Sequence, residues 1–195
     1  MCGIVGYIGP KEACPILING LKRLEYRGYD SAGIALIHNN NIQVYKCKGR
    51  VQDLEHHMEL EDTSATIGMG HTRWATHGEP NDTNAHPHTS MNGLFSIVHN
   101  GIIENFAELK GQLLHKGYQF KSETDTEVVA QLLAYSYRQC GDVFEAVNQM
   151  LSQLEGTYAL GIVCADTPDR VIAARKDAPL LLGYGQGENF LASDV

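Results

Sequence analysis

The first residue that could do chemistry is Cys2, at the second position of the chain. Removal of Met1, which the small Cys2 side chain permits, would leave this thiol beside a free α-amine. An amine with a pKa of about 7.7–8.0 can serve as a base for the thiol, and the thiolate is a strong nucleophile. Position alone leaves two interpretations open, a nucleophile or a packing residue, because free cysteines are usually small core hydrophobes.

The most unusual stretch is HTRWATHGEPNDTNAHPH, residues 71–88, which follows a predicted strand and reads as a long polar loop. Functional residues concentrate in such loops. The guanidinium of Arg73 can bind a carboxylate through two parallel hydrogen bonds. A metal site at His86 and His88 is an alternative that the absence of a nearby cysteine or HExxH disfavours. A solvated loop with incidental histidines is the other alternative.

Two further segments offer polar groups. In HNGIIEN, residues 99–105, which we place at the end of a strand, the Asn100 amide and the Gly101 backbone N–H could both donate to an oxyanion, although Asn-Gly is also a common turn. In SETDTE, residues 122–127, Asp125 could bind an ammonium group, although helix capping alone would explain the segment.

Together these residues make an inventory for acyl transfer. Cys2 is the candidate nucleophile, and Asn100 with Gly101 is the candidate oxyanion pair. Arg73 and Asp125 offer partners for a carboxylate and an ammonium group, which together describe a site for a free α-amino acid.

The elements that must position these residues come in runs of strands and runs of helices. This order predicts an α+β fold with mostly antiparallel sheet, rather than the regular alternation of strands and helices that builds a parallel sheet. Strands are predicted at residues 3–9, 33–38, 42–47, 66–72 and 94–100 and in four tail segments, and helices at Pro15–Leu24, 104–116, 125–139 and 143–155. Asn39-Asn40-Asn41 indicates a hairpin turn, Thr124 or Ser122 is expected to cap the helix over 125–139, and the glycines expected to stop the last three helices are Gly117, Gly141 and Gly156. No linker stands out, so one domain is expected over residues 1–195. The final NFLASDV stops in mid-strand, which suggests a piece of a longer protein.

The composition excludes several classes of function. A net charge of −8 disfavours non-specific binding to nucleic acid, and no apolar stretch is long enough to span a membrane. The five cysteines form no CxxC and no secretory signal precedes them, which favours free thiols in a reducing cytoplasm. We interpret the other four as packing residues, namely Cys14, Cys47, Cys140 and Cys164.

The chain resembles the glutaminase domains of the glutamine–fructose-6-phosphate aminotransferases, which are class II glutamine amidotransferases of the N-terminal-nucleophile hydrolase superfamily. The matching segments are MCGIVGYIG, LEYRGYDSAG, HTRWATHGEP, NAHPH, VHNGIIEN, SETDTE and NFLASD, in this order along essentially the whole chain. Amidophosphoribosyltransferases and asparagine synthetases are similar at the start but lack HTRWATHG.

The resemblance implies a four-layer αββα sandwich and a reaction. Cys2 would attack the side-chain amide of L-glutamine, with the oxyanion held by Asn100 and Gly101. Substrate binding would fall to Arg73, Trp74, Thr76, His77, Asp125, Arg27 and Gly28, with Trp74 in a mobile loop. His71, His86 and His99 are left as structural or supporting residues.

The resemblance also implies partners. The family continues into sugar-isomerase domains that bind fructose 6-phosphate and are absent from this chain, and the full-length enzyme is expected to be a cytoplasmic homodimer. No cofactor, metal, nucleic acid or membrane is expected. The alternatives are the glutaminase domain of another class II amidotransferase and a non-enzymatic domain that binds metal through its histidine-rich loop.

Overall fold

Two antiparallel sheets form the centre of the structure, a computed structural model that describes residues 2–195. The strands are β1 Gly3–Ile8, β2 Ser31–His38, β3 Asn41–Lys48, β4 Ile67–Arg73, β5 His88–Thr89, β6 Phe95–Ile103, β7 Gly156–Cys164, β8 Val171–Lys176, β9 Leu181–Tyr184 and β10 Asn189–Ala192. The helices are α1 Ala13–Leu24, α2 Val51–Met58, α3 Phe106–His115, α4 Asp125–Cys140 and α5 Val143–Leu151. A 3₁₀ turn, Glu25–Arg27, follows α1.

The strand order explains how distant segments meet. The first sheet runs β3-β2-β4-β1-β10-β9, and the second runs β5-β6-β7-β8. All pairs are antiparallel, so β4 lies between β1 and β2 although some sixty residues separate β1 from β4. Cys2 directly precedes β1 and therefore starts beside the end of β4.

Three apolar clusters separate four layers. One joins α1 and α2 to the outer face of the first sheet, with Leu17 and Leu54 fully buried. A second lies between the two sheets around Met69 and Val98. The third packs α3, α4 and α5 on the second sheet around Phe95. The central strands of each sheet thus pack against helices on one face and against the other sheet on the other face, which confirms the predicted αββα sandwich, while the edge strand β9 is exposed.

Local chemistry accounts for several boundaries. The β2–β3 hairpin turns at Asn39 and Asn40, whose φ angles of 50° and 59° suit a two-residue turn between right-twisted strands. Thr124 caps α4 by accepting from the backbone N–H of Glu127, and Gly141 ends that helix in the left-handed conformation. The stop at Gly141 was predicted, and of the two predicted cap candidates, Thr124 and Ser122, it is Thr124 that caps the helix.

Two elements, α2 and the short β5, were not predicted, and three boundaries were wrong. Helix α5 ends at Leu151, so that Gly156 begins β7 instead of stopping a helix. Strand β6 continues past Asn100 to Ile103, because residues 100–103 pair with β7. The Asn-Gly pair therefore lies inside a strand and is no turn. Strand β10 ends at Ala192, so the chain does not stop in mid-strand.

Candidate active site

A cavity of about 390 Å³ collects the residues that the sequence analysis singled out. All of the predicted site residues except Gly28 line it: Cys2, Arg27, Arg73, Trp74, Thr76, His77, Asn100, Gly101 and Asp125. They come from the residue before β1, the 3₁₀ turn after α1, the end of β4 with its following loop, the second half of β6 and the first residue of α4. The fold thus brings five separate segments to one opening.

The Cys2 thiol is partly buried against the backbone of Trp74. The Trp74 N–H donates to Cys2 Sγ at 3.1 Å, and Sγ lies 3.5 Å from the Trp74 carbonyl oxygen. Burial raises the pKa of Cys2 above its ordinary value, and the hydrogen bond from Trp74 opposes this rise. The thiol is therefore mostly protonated at neutral pH, so a reaction at this sulfur needs a base. Met1, whose removal the sequence analysis predicts, lies outside the described residues.

The Asn100 side chain reaches from the second sheet to Cys2. Its Nδ2 donates to the Cys2 carbonyl oxygen at 3.0 Å, and its Oδ1 lies 2.9 Å from His71 Nε2. The next residue, Gly101, has a φ of +119°, and a Cβ atom there would lie 2.2 Å from the Thr157 carbonyl oxygen. Only glycine fits this backbone, which places Asn100 and Gly101 side by side at the cavity wall.

Arg73 is buried and already holds its own loop. Its Nη2 donates to the carbonyl oxygens of His77 and, at 3.1 Å, Gly78, and Nη1 lies 3.8 Å from Asp30 Oδ1. Both hydrogens of Nη2 are thus directed at the loop. A carboxylate that accepted two hydrogen bonds from Arg73 would replace one of these contacts, so binding at this site would be coupled to the loop.

Asp125 contacts β6, the strand that carries Asn100. Its Oδ2 accepts from the backbone N–H of Ile103 at 2.9 Å and lies 3.8 Å from His99 Nδ1. Helix capping belongs to the neighbouring Thr124, so capping does not account for Asp125. The Asp125 carboxylate is buried yet lines the cavity, which is the placement that a partner for an ammonium group requires.

The remaining predicted residues form the rim. Arg27 Nε lies 3.6 Å from Asp194 Oδ2, and Gly28 packs against the Trp74 ring. Thr76 Oγ1 lies 3.2 Å from His77 Nδ1, and the His77 ring meets the edge of Phe106 at 5.0 Å. Trp74 lines the cavity and is 54% exposed, so it lies between the site and the solvent.

Four buried histidines lie beside the cavity, and two of them, His86 and His99, line it. The rings of His71 and His86 stack at 4.1 Å, and His86 meets His88 edge-on at 4.8 Å. Thr126 Oγ1 lies 3.0 Å from His99 Nδ1 and 3.3 Å from His86 Nε2. Burial lowers the pKa of His71 to about 3 and lowers that of the other three, so all four rings are neutral at pH 7.

Lys46 anchors the loop that carries two of these histidines. Its Nζ donates to the carbonyl oxygens of Thr83, Ala85 and Pro87 at 3.1, 2.8 and 3.2 Å. Burial lowers the pKa of Lys46 to about 8. The three carbonyl contacts satisfy all three ammonium hydrogens, so the loop is held against β3.

The sequence reasoning missed Asp30. Its Oδ2 accepts from the backbone N–H of Ala75, and its backbone N–H donates to the Arg73 carbonyl oxygen at 2.7 Å. The carboxylate thus orients the segment after β4 that surrounds Cys2. It lies in the quoted segment LEYRGYDSAG, where an acidic residue directly before a buried strand was an available signal.

The histidines do not make a metal centre. Within residues 2–195, no group of three or more His, Cys, Asp or Glu side chains is arranged to hold a metal ion. One ring nitrogen of each histidine instead lies near a protein oxygen, at 2.9 Å for His71 Nε2, 3.3 Å for His86 Nε2, 3.0 Å for His88 Nε2 and 3.0 Å for His99 Nδ1.

The other cysteines and the helices that the structure describes carry no further site. All five cysteines are free, and Cys14, Cys47 and Cys164 are buried. No helix in the described part of the chain has the length and apolar character to span a membrane.

Several known proteins are similar to this chain. A family model described as a glutamine amidotransferase domain matches residues 71–195. The glutamine–fructose-6-phosphate aminotransferases (isomerizing) of Caldanaerobacter subterraneus subsp. tengcongensis and Pyrococcus horikoshii are 62% and 53% identical over all 195 residues. The chain covers 32% and 33% of these proteins, so it spans about a third of the length of the curated relatives it matches.

Solved structures extend the comparison to the fold. A glutamine phosphoribosylpyrophosphate amidotransferase from B. subtilis, complexed with ADP and GMP, has a TM-score of 0.84 and 30% identity, covering 98% of this chain and 42% of that one. A glutamine aminotransferase class-II domain protein from Silicibacter pomeroyi shares the fold with a TM-score of 0.64 at 16% identity, covering 98% and 88%.

The fold is that of the N-terminal-nucleophile amidotransferases, the class that the sequence analysis predicted. Within that class, the chain belongs to the family of glutamine amidotransferase domains.

Proposed function

We propose that this chain hydrolyses L-glutamine to glutamate and ammonia, with Cys2 as the nucleophile once Met1 is removed. The observation that carries the proposal is the placement of Cys2 Sγ in one cavity with Asn100, Gly101, Arg73 and Asp125. A thiol, two oxyanion donors and one partner for each charged group of an α-amino acid meet there. No other cavity found in the described chain combines these groups.

The first half of the reaction forms a thioester. The α-amine of Cys2 takes the thiol proton while sulfur attacks the side-chain carbonyl carbon of glutamine. The negative charge on the carbonyl oxygen is held by Asn100 Nδ2 and the Gly101 N–H, a kind of donor whose loss costs roughly 10²–10³ in kcat elsewhere. The C–N bond then breaks, and the amine's proton goes to the departing ammonia.

The second half regenerates the thiol. Water attacks the thioester carbon, the α-amine accepts one of its protons, and the C–S bond breaks to release glutamate. The proton returns to the sulfur. Arg73 binds the α-carboxylate, with Thr76 and His77 beside it, and Asp125 binds the α-ammonium. Arg27, Gly28 and Trp74 close the nucleophile end, which keeps bulk water from the intermediate.

The full-length protein would use the ammonia. The curated relatives are named glutamine–fructose-6-phosphate aminotransferases and are about three times as long as this chain. We therefore propose that residues 1–195 are one glutaminase domain, and that sugar-isomerase domains in the same polypeptide receive the ammonia and convert fructose 6-phosphate to glucosamine 6-phosphate. A cytoplasmic homodimer is the proposed form of that full-length enzyme.

Covalent labelling tests the central claim. Protein shown by intact mass to lack Met1 is incubated with 6-diazo-5-oxo-norleucine, a glutamine analogue that alkylates such nucleophiles, and glutamate release from glutamine is measured in parallel. One adduct on Cys2 with loss of glutamate release is expected, and Cys2→Ala should show neither adduct nor activity. An adduct on Cys14, Cys47, Cys140 or Cys164 instead, or activity in Cys2→Ala, would overturn the proposal.

A further inference from the structure

A buried histidine lies directly behind the proposed oxyanion donor. His71 Nε2 lies 2.9 Å from the His99 carbonyl oxygen and 2.9 Å from Asn100 Oδ1. A backbone carbonyl only accepts hydrogen bonds, so Nε2 must carry the proton of the neutral ring. The Asn100 atom that faces the same nitrogen must then be an acceptor, which fixes it as the amide oxygen.

The backbone carbonyl of Cys2 fixes the opposite end of the Asn100 amide. The amide nitrogen lies 3.0 Å from the carbonyl oxygen of Cys2, which also only accepts. If the amide were rotated by 180°, Oδ1 would face this carbonyl and Nδ2 would face the N–H of His71. Both contacts would then be repulsive. The rotation is therefore disfavoured at both ends, and the second hydrogen of Nδ2 remains for the cavity.

The His71 ring is itself held rigidly. It is fully buried on β4 and stacks on His86 at 4.1 Å with 16° between the ring planes. Its Nδ1 is buried and has no hydrogen-bond partner among the described residues, so a second proton there would be unsatisfied. Burial lowers the pKa of His71 to about 3, which agrees with a ring that stays neutral.

The contact also joins the two sheets. His71 lies on β4 of the first sheet, next to the strand that follows Cys2, and Asn100 lies on β6 of the second sheet. The nucleophile and the oxyanion donor therefore belong to different sheets, and the hydrogen bond from His71 sets how the donor is turned toward the nucleophile.

We propose that His71 is a positioning residue for glutamine hydrolysis: its Nε2–H fixes the orientation of the Asn100 amide so that Nδ2 faces Cys2 and the developing oxyanion. This inference rests on the proposed function. His71 does not line the cavity and touches no substrate group, so its effect should fall on the chemical step and spare the affinity for glutamine.

Two amide substitutions of different length test the proposal. In His71→Gln the side-chain amide N–H can reach about as far as the imidazole Nε2, whereas in His71→Asn it is one methylene too short. We expect His71→Asn to lower kcat for glutamate release roughly 10- to 100-fold with KM within about threefold of wild type, because the oxyanion donor is then misaligned. His71→Gln should recover kcat to within about threefold.

A double substitution separates positioning from general damage. In an Asn100→Ala background, adding His71→Asn should change kcat by less than about twofold, because the residue through which His71 acts is gone. His88→Asn is the matched control, since His88 is equally buried but contacts Thr124 at 3.0 Å and not Asn100. It should lower the free energy of unfolding without the selective loss of kcat.

Each result counts for or against the inference. Wild-type kcat in His71→Asn, an equal loss in His71→Gln, or a full additional loss in the Asn100→Ala background would overturn it. Alkylation of Cys2 by iodoacetamide, which needs no oxyanion donor, should proceed at the wild-type rate in the His71 variants. If wild type itself releases no glutamate and Cys2 takes no adduct, the proposed function fails, which is a different outcome from wild-type activity that is insensitive to His71.

Discussion

Gly28 and Trp74 are in direct contact at the mouth of the cavity. A Cβ atom at Gly28 would lie 2.7 Å from Cε3 of the Trp74 ring, and Gly28 has a φ of +103°. Both the space and the backbone conformation therefore require glycine. The contact ties the turn after α1 to the loop that covers Cys2.

Gly28→Ala should displace the Trp74 ring and weaken glutamine binding. Trp74 is the single tryptophan of the chain, so its fluorescence reports the change directly. We expect an altered emission maximum and a KM for glutamine raised roughly tenfold, since closure over the substrate is impaired. Gly117→Ala is the control, because Gly117 has a φ of +87° but no atom within 4 Å of the position that a methyl group would take. Unchanged fluorescence and KM in Gly28→Ala would contradict the prediction.

Arg73 and Asp125 should each recognise one end of glutamine. Wild type is expected to favour glutamine in kcat/KM over 4-aminobutanamide, which lacks the α-carboxylate, and over glutaramic acid, which lacks the α-amine. Arg73→Lys should lower the preference for glutamine over 4-aminobutanamide roughly tenfold or more, because lysine offers no paired donors for the carboxylate. Asp125→Asn should lower the preference for glutamine over glutaramic acid, while the asparagine amide oxygen can still accept from the Ile103 N–H.

The two variants serve as controls for each other. Arg73→Lys should leave the preference for the amine unchanged, and Asp125→Asn should leave the preference for the carboxylate unchanged. Steady-state kinetics with the three amides measures both. A variant that narrows the two preferences equally would indicate general damage to the site and would count against the assignment.

The buried histidines predict that the protein loses stability as the pH falls. Burial lowers their pKa in the folded state, to about 3 for His71, so below about pH 6.5 the unfolded chain binds protons that the folded chain does not. Each such histidine lowers the folding equilibrium constant up to about tenfold per pH unit. Stability is therefore fully present above about pH 6.5 and is lost below it.

The slope of the free energy of unfolding against pH gives the number of protons that the chain takes up on unfolding. Urea unfolding between about pH 7 and pH 5 measures this slope, in a range above most carboxylate titration. His88→Gln removes one buried ring, so its proton uptake on unfolding should be smaller than that of wild type by up to one proton. His57→Gln is the control, because His57 is exposed on α2. Equal slopes in wild type and His88→Gln would contradict the prediction.

The pH dependence of Cys2 should differ between two reactions. Burial raises the thiol pKa, so iodoacetamide alkylation, followed at Cys2 by peptide mass, should rise at higher pH than the alkylation of an exposed thiol does. Glutamate release by protein lacking Met1 should rise at lower pH, near the α-amine pKa of about 7.7–8.0, because the amine removes the thiol proton during the attack. Coincident profiles would show that a preformed thiolate reacts and that the amine has no role as base.

Local patterns predicted most of the elements and the family. The Asn39-Asn40 turn, the cap at Thr124 and the stop at Gly141 depend only on neighbouring residues, and each is where the sequence indicated. Helix α2 escaped prediction, although Val51, Leu54 and Met58 carry its buried face. A helix of eight residues offers too few turns for its period to stand out.

The sequence by itself determined which residues have reactive or charged groups, the α+β order of the elements, and the motifs that assign the chain to its family. Only the tertiary structure decided that Arg73 is occupied by its own loop, that Asp30 orients the segment around Cys2, and that His71 fixes the Asn100 amide. The physical reason is distance along the chain. Such contacts depend on strand register and on the packing of one sheet against the other, and no local pattern encodes either of them.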